Sequence, residues 1–351
     1  MGKDDKKKKS KSKHSRHATK GSRNKPSNQQ ASVTHSINQS VSIDVQEQVQ
    51  AFCMSILKRT FQGVRKEFAD NKRNFAMSKC SVFQKNPQKN RYKDVGCLDD
   101  SRVVLRDNGA DDYIHANYVA TPESAKRFIC CQAPLDKTCT DHWKMIVQEN
   151  VEVILMLCNF KEKDTVKSAE YFPFTDITQP KIFGPYTVRC TNKENFKWPT
   201  PTTAVVVVSS LVVEVDGRQH KVLHYHWQDW PDRGVPPADQ APIDLLNVLS
   251  RTKHPMVVHC SAGIGRTGSI VLIQYIQEAI KAGKPCDKVE KLLIELRNQR
   301  ANSVQTDYQY LYVHQVLLNY YHKAEYLDAS IEGPLAEFTA EYNKYTANVK
   351  F

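Results

Sequence analysis

The sequence predicts a mixed α+β (α/β) domain, and three observations carry that expectation. The middle of the chain holds short apolar runs bounded by turn residues, the last third shifts to helical periodicity, and strands and helices do not alternate regularly. In the first element, Val45, Val49, Phe52, Ile56, Phe61, Val64 and Phe68 recur at helical spacing up to about Asp70, the pattern of an amphipathic helix lying on a core. The runs Arg127–Cys131, Val151–Cys158 and Tyr186–Cys190 read as strands. Ala204–Val215 and His220–Trp227, joined near Asp216-Gly217, read as a hairpin. Pro255–His259 is a short buried strand leading through glycine-rich residues into a helix over Thr267–Ala282. Helices over Cys286–Gln299 and Thr306–Tyr321 follow, with a weakly amphipathic Leu335–Tyr345 as one docked helix after Gly333-Pro334.

The 351 residues, 40% hydrophobic and 25% charged, describe a globular chain and exclude collagen, coiled coil and full disorder. The formal charge of +12 invites a nucleic-acid reading. Its distribution argues otherwise, because residues 1–28 hold eleven basic side chains against Asp4 and Asp5, leaving only +3 for the rest. Residues 1–42, rich in Lys, Ser, Asn and Gln, are expected to be a disordered basic tail. That tail could contact acidic partners, and its Lys6–Lys9 run is a candidate nuclear address. It lacks interleaved aromatics, so no specific nucleic-acid binding is expected. No apolar run reaches the roughly 18 residues a transmembrane helix needs. Ten cysteines without paired zinc spacing fit a reducing, cytoplasmic setting. The expected organisation is a tail over 1–42, a domain over 43–322 and a C-terminal extension over 323–351.

The most informative stretch is Val257-Val-His-Cys-Ser-Ala-Gly-Ile-Gly-Arg-Thr-Gly268. An apolar strand delivers Cys260, five residues follow, and Arg266 opens a helix. Such a loop can curl around a tetrahedral anion, with the N–H groups of Ser261, Ala262, Gly263, Ile264 and Gly265 turned inward. The helix N-terminus adds partial positive charge, and the planar fork of Arg266 can clamp two phosphoryl oxygens. These surroundings favour a thiolate at Cys260, a nucleophile aimed at phosphorus. Its plain alternative, a buried structural cysteine, is disfavoured by the twelve-residue context. Expulsion of the alcohol then needs a proton donor. Asp232 supplies one from Trp230-Pro-Asp-Arg-Gly-Val-Pro236, where proline and glycine bracket the acid as in a hinged flap.

Together these segments resemble the phosphotyrosine-specific, non-receptor-type protein tyrosine phosphatases, from about residue 45 to 322. Lys89–Val95 is similar to that family's phosphotyrosine-recognition loop, and Asp111–Val119, Cys131–Leu135 and Ser303–Tyr310 match further motifs in the family's order. The resemblance implies a single catalytic domain built on a highly twisted mixed β-sheet flanked by helices. It implies hydrolysis of phosphotyrosine in proteins through a phosphocysteine, without metal or cofactor.

The resemblance also assigns roles. Cys260 is the nucleophile, Arg266 the phosphate clamp and Asp232 the acid that becomes the base. Thr267 assists departure of the thiolate, Gln305 positions water and Gln309 supports it. Tyr92 walls the pocket, and Asp94 binds the substrate main chain. Glu162 holds Arg266, and Lys167 approaches the acid loop. His259 tunes the thiolate, and Arg297 supports the phosphate loop. Five departures stand out: His115 for a usual Asn, Ala133 for Gly, Ser168 for Cys, Phe172 for Trp, and Arg233 for an aromatic beside the acid. None removes a chemical group. A non-catalytic phosphotyrosine binder and a dual-specificity or lipid phosphatase are the rival readings. The four catalytic side chains disfavour the first, and Tyr92 disfavours the second.

Overall fold

The computed structural model describes residues 29–71, 77–106, 109 and 111–347. The chain divides at Ser42, and the unit from Ile43 onward carries the architecture below. The helices are α1 (Gln29–Asp70, which spans that division), α2 (Ser81–Lys85), α3 (Cys139–Gln148), α4 (Ala241–Leu249), α5 (Arg266–Lys281), α6 (Val289–Gln299), α7 (Asp307–Lys323) and α8 (Glu332–Ala347). Its strands are β1 (Arg102–Val104), β2 (Tyr113–Thr121), β3 (Ser124–Gln132), β4 (Val153–Met156), β5 (Lys161–Glu162), β6 (Thr165–Val166), β7 (Lys181–Phe183), β8 (Tyr186–Asn195), β9 (Val206–Val215), β10 (Arg218–Trp227) and β11 (Met256–Cys260).

Nine strands form one mixed sheet in the order β1-β2-β3-β11-β4-β10-β9-β8-β7, and β5 and β6 pair separately. The centre is parallel: β11 runs parallel to both β3 and β4, and β10 parallel to β4. Strands in that position are buried on both faces, which is why every residue of Met256–Cys260 is buried, without alternation. The outer ladders are antiparallel, as hairpin connections require. At the tip of the β9–β10 hairpin Asp216 and Gly217 both take positive φ, 50° and 70°, the conformation that the Asp-Gly pair favours. From Arg266 to Ile280 every residue of α5 is buried, and the helix packs against α4, α6, α7 and β11. Burial of each large apolar side chain there contributes about 1.5–3 kcal/mol.

Two features differ from expectation. The first helix begins at Gln29 rather than Val45, so residues 29–42, read as disordered from composition, are helical; residues 1–28 lie outside the described residues. Val33, Ile37 and Val41 extend the four-residue spacing of Val45 and Val49, a signal that the polar composition obscured. Within α1, Thr60 breaks the helix at φ 61°, ψ 167°. The second difference concerns β2, α3 and α4, which the strand and helix reading did not separate. The burial of β2 barely alternates, and α3 and α4 are short.

Burial pushes the pKa of six histidines below the ordinary value: His226 to about 4, His115, His259 and His314 to about 3, and His142 and His224 well down. They are neutral in the fold, whereas the unfolded chain protonates them below about pH 6.5. Their contribution to stability is complete above that pH and is lost as pH falls toward 3 to 4. The thermal midpoint, followed by circular dichroism, is therefore expected to drop steeply between pH 6.5 and 4.5. A flat profile over that interval contradicts neutral burial.

Candidate active site

The site lies beyond the carboxyl ends of the parallel strands, where open α/β sheets place their ligands. β11 ends at Cys260, and the next helix starts at Arg266, so residues 261–265 close a tight loop between a central strand and a buried helix. Gly263 makes that loop feasible. Its φ is +71°, and a Cβ there would sit 2.0 Å from the Cys131 carbonyl oxygen. The Gly263 N–H donates to Cys260 Sγ at 3.3 Å. Among the described residues, no acceptor takes the N–H groups of Ser261, Ala262, Ile264 or Gly265. They remain available to an anion, at the start of α5 where the helix dipole favours one.

Cys260 is 4% exposed, at a cavity of about 130 Å³ lined by Tyr92, Asp94, Val95, Lys167, Asp232, Arg233, Cys260, Ser261, Ala262, Gly265, Arg266, Gln305 and Gln309. Sequence-predicted residues from five separate segments thus meet around one thiol. Gly263 and Ile264 are not among the lining side chains; Ile264 is buried, and its carbonyl accepts from Val304 N–H at 2.9 Å.

Arg266 is 1% exposed, and its charge is met on every side. It donates to both oxygens of Glu162, Nη1 at 2.6 Å and Nη2 at 2.9 Å, and to the Trp230 carbonyl at 3.0 Å. Nη2 also reaches Asp232 Oδ1 at 3.0 Å. Lys167 Nζ donates to the other oxygen of Asp232 at 2.8 Å. Burial acts to raise the Asp232 pKa, but Lys167 and Arg266 outweigh it and hold the carboxyl below its usual range. Glu162 keeps Arg266 charged, and Asp232 keeps Lys167 charged, against the opposing effect of burial. The acid loop is shut over the cavity: Trp230 Nε1 donates to the Gly234 carbonyl at 3.1 Å, and Thr306 Oγ1 donates to the Arg233 carbonyl at 3.2 Å. Arg233 itself has φ 58°, unusual for a non-glycine residue.

Tyr92 is pinned by its hydroxyl, 2.8 Å from Ser261 Oγ, while Ser261 donates to the Lys167 carbonyl at 3.1 Å. The Gln309 side chain accepts from the N–H groups of Gln305 at 2.9 Å and Thr306 at 3.2 Å, so it shapes the loop bearing Gln305. Thr267 Oγ1 is buried and unpartnered among the described residues, and no bond from it to Cys260 is formed.

The supporting histidine and arginine are held by backbone carbonyls. His259 does not reach the sulfur: its Nδ1 lies 3.2 Å from the Cys260 carbonyl oxygen and its Nε2 2.7 Å from the Tyr171 hydroxyl. A carbonyl only accepts, so Nδ1 carries the proton and Nε2 accepts from Tyr171. Tyr171 in turn takes the Nε2–H of His224 at 2.6 Å. The histidine therefore meets Cys260 through its backbone carbonyl, at the end of β11. Arg297 donates to the carbonyls of Ser303 at 2.9 Å and Val304 at 3.0 Å, bracing the glutamine loop. A direct brace on the phosphate loop is Arg300, which sequence reasoning missed. Fully buried, it donates to the carbonyls of Gly263 and Ala262, both at 3.1 Å, and to Asn117 Oδ1 at 2.8 Å. His115 completes this shell: its Nε2 lies 2.8 Å from the Val95 carbonyl and its Nδ1 3.2 Å from Arg300 Nη1. Because arginine only donates, His115 is the neutral Nε2–H tautomer. Among the described residues, no group of three or more His, Cys, Asp or Glu side chains is placed to hold a metal.

The family model for protein-tyrosine phosphatases matches residues 86–319, which contain every one of these groups. The chain belongs to the protein-tyrosine phosphatase family. Human tyrosine-protein phosphatase non-receptor type 12 is 32% identical over 249 residues, 68% of this chain and 31% of that protein. Protein-tyrosine-phosphatase PTP1 of Arabidopsis thaliana is 34% identical over 247 residues, 67% of this chain and 70% of its own length. The chain thus spans under a third of the human relative but most of the plant phosphatase. Among solved structures, the catalytic domain of human protein tyrosine phosphatase non-receptor type 18 superposes with a TM-score of 0.63 at 25% identity, covering 77% of this chain and 99% of that one. PTPN18 in complex with HER2-pY1196 phosphor-peptides gives 0.64 at 25% identity, covering 76% and 98%. The phosphatase fold described above, with one domain around one sheet, is the fold of those structures.

Gly263→Ala tests the loop geometry. Positive φ alone costs on the order of 2 kcal/mol for a residue with a Cβ, and the contact with Cys131 adds to it. A lowered denaturant midpoint and loss of protection by inorganic phosphate in thermal unfolding are expected. An unchanged midpoint with intact phosphate protection would contradict this account.

Proposed function

We propose that the protein hydrolyses phosphotyrosine in proteins by a two-step transfer through Cys260. The observation that carries this reading is the cavity in which Cys260, the doubly held Arg266 and Asp232 face one another beside the ring of Tyr92. An incoming phosphoryl group takes the place of Asp232 at Arg266 Nη2, and its other oxygens meet the free N–H groups of the loop. Cys260 Sγ attacks phosphorus, a P–S bond forms, the P–O bond to tyrosine breaks, and the phenolic oxygen takes its proton from Asp232. Water held near Gln305 then gives a proton to the Asp232 carboxylate and attacks phosphorus. The P–S bond breaks, inorganic phosphate leaves, and Thr267 supports the returning thiolate. Lys167 and Arg266 hold Asp232 ionised, so the phosphate dianion has a second task. By competing for Arg266 it weakens the hold of one of the two cations that keep the carboxyl low, and it leaves Asp232 able to carry the proton that the first step needs.

Tyr92 forms an aromatic wall suited to a phenyl phosphate, whereas a phosphoserine would fall short of the thiol. Tyrosine-phosphorylated proteins are accordingly the proposed substrates, in keeping with the phosphopeptides bound to PTPN18. The cytoplasm is the proposed compartment, with Lys6–Lys9 as a nuclear address and the basic tail as a contact for acidic partners. Among the described residues no helix is long and apolar enough to cross a membrane.

Purified protein is expected to release phosphate from a phosphotyrosine peptide, in the presence of EDTA as in its absence. Cys260→Ser is expected to abolish release, and Asp232→Ala to reduce it by about 10²–10⁴-fold, the usual worth of a general acid. Equal peptide binding by wild type and Cys260→Ser with no phosphate released by either would instead make the chain a binding module. Comparable rates on phosphoserine peptides would overturn the substrate assignment.

Lys167→Met removes a cation that lowers the Asp232 pKa. A general acid works only while protonated, so the alkaline limb of kcat should move to higher pH as the maximum falls. A limb unmoved, or moved to lower pH, would assign the proton donor elsewhere.

A further inference from the structure

Helix α8 lies beyond the matched residues 86–319, yet its last turn ends against the segment that carries the two active-site glutamines. We infer that α8 is a latch and that Tyr345 is a positioning residue, which acts through Asp307 to hold Gln305 and Gln309 for the hydrolytic step. The inference rests on the phosphatase reading.

The helix is anchored along its length. Leu335, Phe338 and Tyr342 are buried, Phe338 and Tyr345 meet the ring of Phe61 edge-on at 5.8 and 5.6 Å, and Gln62 Nε2 donates to Glu341 at 3.1 Å. Gln315 Nε2 of α7 donates to Thr339 Oγ1 at 2.9 Å. At its end the Tyr345 ring stacks on Tyr308, with centroids 4.5 Å apart and planes 10° from parallel. The Arg65 guanidinium lies 4.2 Å from the Tyr345 ring centroid. The Tyr345 hydroxyl donates to Asp307 Oδ2 at 2.8 Å, and Arg65 Nε donates to the same oxygen at 3.3 Å.

Asp307 is the first residue of α7, and its other oxygen accepts from Tyr308 N–H at 3.0 Å. Its neighbour Thr306 caps the helix by accepting from Gln309 N–H at 3.3 Å and also holds the Arg233 carbonyl of the acid loop. One helical turn therefore has the latch on one side, and the glutamine pair and the shut acid loop on the other. Tyr345 does not line the catalytic cavity, so the latch acts on turnover without touching the phosphate.

Tyr345→Phe keeps the stacked ring and removes the hydroxyl. Single-turnover mixing of excess enzyme with p-nitrophenyl phosphate reads formation of the phosphocysteine, and that rate is expected to match wild type. Steady-state turnover is expected to fall about three- to tenfold, the range one lost hydrogen bond can supply. Acid quenching should trap more phosphocysteine, and inhibition by inorganic phosphate should be unchanged. Asp307→Asn is expected to move the same readouts in the same direction, and it carries the test if the tyrosine variant does not fold. Wild-type turnover in both variants refutes the latch. So does a loss of phosphate affinity that merely tracks a fall in thermal midpoint. Wild-type protein that releases no nitrophenol refutes the phosphatase reading instead.

Discussion

A guanidinium almost sealed from water sits at the centre of this protein, and much of the surrounding chain is arranged to make that tolerable. Desolvating a lone cation costs several kcal/mol, and only close, well-directed partners recover it. Arg266 therefore recruits Glu162 from β5 and, from the acid loop, the Trp230 carbonyl and Asp232, two segments far apart in sequence. Each partner is itself held: Glu162 accepts from Asn159 N–H at 3.0 Å, and Asp232 is shared with Lys167. Compensating one buried charge thus draws together the loop that binds phosphate and the loop that delivers protons. It also holds the acid loop in place, since Asp232 is the anion that completes the arginine's shell.

How much of this was legible in the sequence depends on the range over which each signal acts. The phosphate loop was legible because its chemistry is local: strand, thiol, small residues and arginine are contiguous, and each constrains its neighbour. The β9–β10 hairpin was legible for the same reason, since Asp216-Gly217 states its own turn. Glu162 and Lys167 were placed only through resemblance; in the fold the first accepts from Arg266 and the second donates to Asp232. Arg300 was invisible because nothing in its immediate sequence announces that it will reach back to the carbonyls of Ala262 and Gly263. The partners of His259 were not legible for a related reason: its Nδ1 meets the Cys260 carbonyl, and its Nε2 meets Tyr171, a residue almost ninety positions away.

The departures from the family pattern become intelligible as packing chemistry. His115, in place of the usual Asn, still offers an acceptor to Arg300 and a donor to Val95, so the buried arginine keeps its partner. Phe172 lies 4.1 Å from the ring of His224, which holds Tyr171 and through it His259. These substitutions alter the shell beneath the phosphate loop without removing a group that faces the cavity.

The strand order has a consequence for how such a molecule comes into being. β11 is the last strand in the chain, yet it occupies the middle of the sheet, between β3 and β4. A ribosome must therefore deliver both neighbours, and the long β8–β10 arm, before the strand that joins them exists. Until then β3 and β4 present unpaired inner edges, and closing them requires contacts across more than a hundred residues, the kind that make folding slow. Cys260 sits at the tip of that late strand. The nucleophile is thus withheld until the sheet is whole, and a nascent or truncated chain has no cradle in which to be reactive.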